Sequence, residues 1–194
     1  MKEHSVNTLD NFIGAWYLED TTICDELIEF WNNSSNKGPG FLSTRIVDKS
    51  TKDSIDTFLP YNEKVYLKYI SALQTVLLEY IKKYKWCNEY SPFRTEEGIN
   101  LQYYPPKGGY HKWHTERFLA SYPNATRHLV FMTYLNDVID QGETEFFHQK
   151  LKIKPEKGLT VIWPADWTFT HRGVASPTQE KFITTGWYNF ISKT

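Results

Sequence analysis

Residues 99–116, INLQYYPPKGGYHKWHTE, mark the place where the chain changes period. Ile99–Tyr104 is a short β-branched and aromatic run, and Pro105, Pro106, Gly108 and Gly109 close it as turn residues close a strand. Similar runs follow at Arg127–Leu135, Glu143–Phe147, Leu159–Trp163 and Lys181–Ile191. Between them stand Asn136 and Asp137, Gln141 and Gly142, Lys157 and Gly158, and Pro177. Short strands at this spacing, with no helices alternating between them, predict an antiparallel sandwich or barrel.

Upstream of this stretch the period is helical. Val65, Tyr69, Ala72, Leu73, Val76, Leu77 and Tyr80 recur at three- and four-residue steps within Tyr61–Tyr84, so one stripe of that helix must be buried. Ile23, Leu27, Ile28, Phe30 and Trp31 cluster within Asp20–Trp31, where Asp20 or Thr21 is the N-cap candidate. Asn32–Gly40 reads as loop by composition. The expectation is one domain over residues 1–194, mainly β with flanking α. Residues 1–97 give helical support and loops, and residues 98–194 give a double-sheet roll.

Composition narrows the function. With 194 residues, 40% hydrophobic and 23% charged, the chain can bury a core without a disulfide or metal staple, and disordered and coiled-coil classes are excluded. A net charge of −1 supplies no field for a phosphate backbone, so no nucleic-acid partner is expected. Cys24 and Cys87 lack CxxC spacing and read as reduced thiols. No run approaches 18 apolar residues and the N-terminal stretch lacks a signal pattern, so no membrane partner and a cytoplasmic location are expected.

Among six histidines, His114 and Glu116 stand at i and i+2, and His171 lies on a later segment. In an extended chain i and i+2 project to one side, so His114 and Glu116 can reach one metal ion while a distant strand brings the second imidazole. Two neutral nitrogens and one carboxylate on one face of an octahedron leave three adjacent positions open, which suits Fe(II). The competing reading is that these are ordinary core or surface histidines. Lys181 adds context: a cation within the apolar run that continues as Phe182 and Ile183 either snorkels to water or meets a buried anion, and a ligand carboxylate would satisfy it.

Gln102–Tyr110, His114-Thr115-Glu116, Tyr134-Leu135-Asn136, Gly142-Glu143-Thr144, Lys157-Gly158, and His171 with Lys181 and Gly186-Trp187 together carry a resemblance. In order and spacing they resemble the prolyl 4-hydroxylase branch of the Fe(II)/2-oxoglutarate-dependent dioxygenases, over residues 98–190. The resemblance implies a double-stranded β-helix (jelly roll) supported by N-terminal helices. It implies iron on His114, Glu116 and His171, the same residues being catalytic. Lys181 would pair with the distal carboxylate of 2-oxoglutarate, and Tyr104 and Thr144 would donate hydrogen bonds to it. Arg127, Trp187 and Tyr110 would contact the substrate. The implied reaction hydroxylates a peptidyl proline with release of succinate and CO2, using Fe(II), 2-oxoglutarate and O2, with ascorbate as an optional further cofactor. A free amino acid or other small molecule as substrate, or a non-catalytic jelly-roll binding module, are the other readings.

Two departures stand out. The family's usual Asp is here Glu116, whose extra methylene lengthens the arm by about 1 Å, so its backbone must stand further from the metal. Tyr110 lies one residue further from His114 than in the family, with His111 inserted as a rival group. His4, His111, His128 and His148 otherwise read as structural or solvated, Lys82, Lys83 and Lys85 as complements to a helix dipole, and Trp86–Gly98 as a candidate covering loop.

Overall fold

The computed structural model describes residues 1–6, 10–42 and 46–191. Its helices are α1, Thr22–Asn33, and α2, Lys64–Lys83. The Asp20 carboxylate accepts the Thr22 N–H at 2.9 Å, so Asp20 rather than Thr21 supplies a side-chain oxygen to the first turn of α1. α2 turns Val65, Tyr69, Leu73, Val76, Leu77 and Tyr80 inward, along the stripe the spacing predicts.

Eleven strands follow one another in the described chain: β1 Gly14–Tyr17, β2 Gly38–Pro39, β3 Ile55–Leu59, β4 Phe93–Thr95, β5 Ile99–Tyr104, β6 Arg127–Tyr134, β7 Thr144–Phe146, β8 Leu151–Ile153, β9 Leu159–Pro164, β10 His171–Gly173 and β11 Lys181–Phe190. The large sheet runs β1-β9-β6-β11-β5-β3-β2, with β4 also on β11, and the small sheet runs β10-β7-β8. Every pairing within them is antiparallel. This is a double-stranded β-helix.

Two cores result from the period of two along the strands. Leu101, Leu129, Phe131, Ile162, Phe182 and Tyr188 point from the large sheet to the helices. Val130, Met132, Tyr134, Val161, Trp163 and Ile183 point the other way and meet Phe146 and Ile153 of the small sheet. Along β11, therefore, Lys181, Ile183, Thr185 and Trp187 share the inner face, where they line one cavity. That alternation carries four inward side chains to the site.

The first 97 residues differ from the expected helices and loops. They also supply β1, β2, β3 and β4. β1 and β2 end the large sheet, β2 has two residues, and β3 carries Asp56 and Thr57 within its run. Such short or polar strands form because a neighbour offers a ladder, not from their own propensity. β8 and β10, of three residues each, go unread for the same reason.

Candidate metal centre

His114 and His171 are direct partners across an antiparallel pair. The His114 N–H donates to the His171 carbonyl and the His171 N–H to the His114 carbonyl, each at 2.9 Å. Residues opposed in this way project to the same side, and their ring centroids lie 4.3 Å apart. Glu116, two residues on, joins them. One ligand atom from each of His114, Glu116 and His171 lies within 4.8 Å of the others. Glu116 Oε1 stands 3.7 Å from His114 Nε2 and 3.3 Å from His171 Nε2.

Both imidazoles have a fixed tautomer. His114 Nδ1 donates to the Lys112 carbonyl at 3.0 Å, and His171 Nδ1 to the Phe169 carbonyl at 2.9 Å. A carbonyl can only accept, so each Nδ1 carries a proton, and each Nε2 is the nitrogen left to donate to Glu116 when protonated or to bind a metal when not. Burial pushes the His114 pKa down, which favours the neutral ring that binds metal. Burial alone would raise the Glu116 carboxyl, but its hydrogen bonds and charge interactions with His114 and His171 outweigh this and hold it well below the usual range. Two neutral nitrogens and an ionised oxygen on one side form a donor set that fits Fe(II).

The other oxygen of Glu116 is also held. Trp187 Nε1 donates to Oε2 at 3.0 Å, and Arg127 Nη1 lies 3.7 Å from the same oxygen. Arg127 Nη1 and Asn124 Nδ2 both donate to the Glu116 carbonyl, at 2.8 and 2.9 Å. The guanidinium is stacked 3.5 Å above the Trp187 ring centroid. Glu97 then receives Arg127 Nε at 2.8 Å and Nη2 at 2.6 Å, and Asn189 Nδ2 at 3.0 Å. Sequence reasoning gives Arg127 and Trp187 substrate roles. Both line the cavity, and both also brace the longer carboxylate arm. Glu97 was not among the sequence candidates, because a glutamate in a charged connection reads as solvated.

Lys181 is buried on β11, with Nζ donating to the Gly142 carbonyl at 2.8 Å and the Val174 carbonyl at 3.4 Å, 5.2 Å from the Tyr104 ring centroid. One of its three N–H bonds is left for a ligand. Burial lowers its pKa to about 8, against the raising charge of Glu143. Thr144 Oγ1 accepts the Tyr134 hydroxyl at 2.7 Å, which leaves its own proton toward the cavity or the Met132 sulfur at 3.8 Å. Tyr104 donates to Gln102 Oε1 at 2.6 Å, and burial keeps its phenol protonated. Tyr110 stacks on His114, centroids 3.6 Å apart, so despite the inserted His111 it lies against the site.

All nine sequence candidates line one cavity of about 1380 Å³. It continues outward past Phe41, Phe58, Phe118 and Tyr122, which are 55%, 64%, 47% and 69% exposed. Of the stretch Trp86–Gly98, only Glu96, Glu97 and Gly98 reach the cavity; Trp86 and Tyr90 stack on each other at the surface. His128 Nε2 donates to the Cys87 carbonyl at 2.8 Å, and the ring packs on Phe190, away from the triad.

A jelly roll that places two imidazoles, one carboxylate and a buried lysine in one cavity offers the donor set for one metal ion and a cation for an anionic ligand. Residues 99–189 match the model of the 2OG-Fe(II) oxygenase superfamily. The segment contains the triad and Lys181. A viral collagen prolyl hydroxylase of Paramecium Bursaria Chlorella virus-1, solved as a 2OG complex, is similar at 21% identity and TM-score 0.69, covering 94% of this chain and 98% of that one. A Pseudomonas putida prolyl-4-hydroxylase is similar at 16% identity and TM-score 0.71, covering 93% and 94%. A Trichoplax adhaerens prolyl hydroxylase, solved with a hypoxia inducible factor oxygen degradation domain peptide fragment, is similar at 15% identity and TM-score 0.75, covering 93% and 84%. No curated protein matches the chain. No helix among the described residues is long and apolar enough to cross a membrane.

Proposed function

We propose that the protein is an Fe(II)- and 2-oxoglutarate-dependent oxygenase that hydroxylates a proline in a peptide or protein. His114 and His171 would present Nε2 to the metal and Glu116 would present Oε1, with Trp187 and Arg127 fixing the remaining carboxylate oxygen. Lys181 would hold the distal carboxylate of the cosubstrate by a charge-assisted hydrogen bond, and Tyr104 and Thr144 would orient it. Bound there, iron with 2-oxoglutarate supplies an oxidative decarboxylation that yields succinate and CO2 and puts one oxygen atom of O2 into a substrate C–H bond. The buried walls around Met132, Tyr134, Trp163 and Ile183 exclude water from that step.

The observation that carries the reading is the joint opening of the triad and Lys181 into one cavity. The peptide substrate is supported by the size of that cavity. Small-ligand sites usually span roughly 300–1,000 Å³, and here a groove with aromatic rims continues beyond the space a five-carbon dicarboxylate needs. The likeness to prolyl hydroxylases, one solved with a peptide, points the same way. The test is to incubate a panel of proline-containing peptides with Fe(II), 2-oxoglutarate and O2 and to seek the mass gain of one oxygen on proline. Succinate formation without any such gain would leave the oxygenase chemistry and remove the peptidyl-proline substrate.

A further inference from the structure

On the wall of the groove, outside the metal centre, stands a buried ion pair. Lys52 Nζ donates to Asp56 Oδ2 at 2.6 Å, with side chains 5% and 11% exposed. Asp56 is satisfied: its Oδ1 accepts the Ser54 hydroxyl at 2.7 Å and its Oδ2 also accepts Asn100 Nδ2 at 3.2 Å. Lys52 is not. An ammonium has three donors, and among the described residues Asp56 is its one hydrogen-bond partner. On β5, opposite Asp56 in register, Gln102 spends its Oε1 on the Tyr104 hydroxyl, and its amide nitrogen has no partner among the described residues. Lys52, Asp56 and Gln102 line the same cavity as the triad.

This cluster is built rather than incidental. A buried ion pair contributes little net stability, because desolvation offsets its attraction. The backbone of Gly40 also lies directly on the lysine stem, where an added Cβ would collide with the Ser54 hydroxyl and with Lys52 Cε. The segment is anchored to the approach of the metal ligands as well: Asp53 N–H donates to the Gly109 carbonyl at 2.9 Å and His111 N–H to the Thr51 carbonyl at 2.8 Å.

Unspent donors call for an acceptor, and the charge of Lys52 is already balanced by Asp56. The matching ligand is therefore a neutral carbonyl oxygen and not a second carboxylate. We propose that Lys52 and Gln102 form a subsite that binds a backbone carbonyl of the substrate peptide, so that the peptide is fixed at the metal by one end and at β3 and β5 by its backbone. This rests on the peptide reading given above.

The probe is fluorescein-labelled acetyl-(Ala-Pro)5-amide, whose binding to the Mn(II)- and 2-oxoglutarate-loaded protein is read by anisotropy. Lys52→Met should weaken binding by roughly tenfold, the size of one lost charge-assisted hydrogen bond. The charge-neutral pair Lys52→Met with Asp56→Asn avoids a stranded buried carboxylate and should weaken it equally. An acidic (Asp-Pro)5 probe should gain nothing over the neutral one. Wild-type binding that neither Lys52 variant changes removes the subsite and leaves the peptide reading intact. No binding of either probe by the wild type removes both.

Discussion

Lys181 shows how much one buried side chain can fix. With its pKa lowered to about 8 by burial, it is charged in the folded chain below that pH and neutral above it. The unfolded lysine holds its proton to about 10.5, so between these values the unfolded state binds more protons and the stability of the ligand-free protein rises with pH. Binding of 2-oxoglutarate runs the opposite way, since its carboxylate needs the ammonium. Its affinity should be flat below about pH 8 and fall above it, by up to tenfold per pH unit, in an anaerobic titration of the metal-loaded protein. A flat profile to pH 10 would reassign the anchor. Lys181→Ala should raise the 2-oxoglutarate requirement at least tenfold, and His171→Ala should abolish iron-dependent succinate release. These residues are legible in the sequence because a two-residue period puts His114 and Glu116 on one side and because a lysine inside an apolar strand demands a partner. Glu97, Lys52 and Asp56 are not legible. Their partners lie 30 residues away for Glu97, or are a turn neighbour whose burial is decided by other strands, and in sequence each is one more surface charge.

At the scale of the element, β11 gathers the most. Its inner face presents Lys181 to the cavity and Trp187 to Glu116, and its outer face packs Phe182 and Tyr188 against the helices. Gly186 is where the strand crosses Phe131 of β6, and a methyl there would run into the Phe131 ring. Gly186→Ala should therefore cost about 1–3 kcal/mol in a denaturant melt, the usual range for overpacking a core. Trp187→Phe keeps the stacking surface for Arg127 but removes the N–H to Glu116. Metal affinity, measured by anaerobic Co(II) titration, should drop by roughly tenfold, and an unchanged affinity would show that the indole does not brace the carboxylate. Strands β5, β6, β9 and β11 begin at the residues their composition marks, and end within one residue of it, because each is paired on both sides and is rich in β-branched and aromatic residues. Strands β1 and β2 stand at the edges, and β3 is covered on one side by the two residues of β2 alone, so little apolar pattern is required of them.

For the whole molecule, a ligand that binds only the folded state stabilises it by mass action. Fe(II) with 2-oxoglutarate at about a hundredfold excess over its dissociation constant should add about 2.7 kcal/mol, several degrees in a calorimetric scan, and His171→Ala should lose that gain. The N-terminal half thus has two tasks. α2 backs the large sheet, while β3 and its preceding loop form the outer wall of the groove. That wall is zipped to the metal approach by the bonds between residues 51–53 and 109–111, and the next ring along, Tyr110, lies flat on His114. Groove wall and ligand rings thus share one stretch of backbone: residues 109–111 carry both the bonds to residues 51–53 and the tyrosine ring that lies on His114.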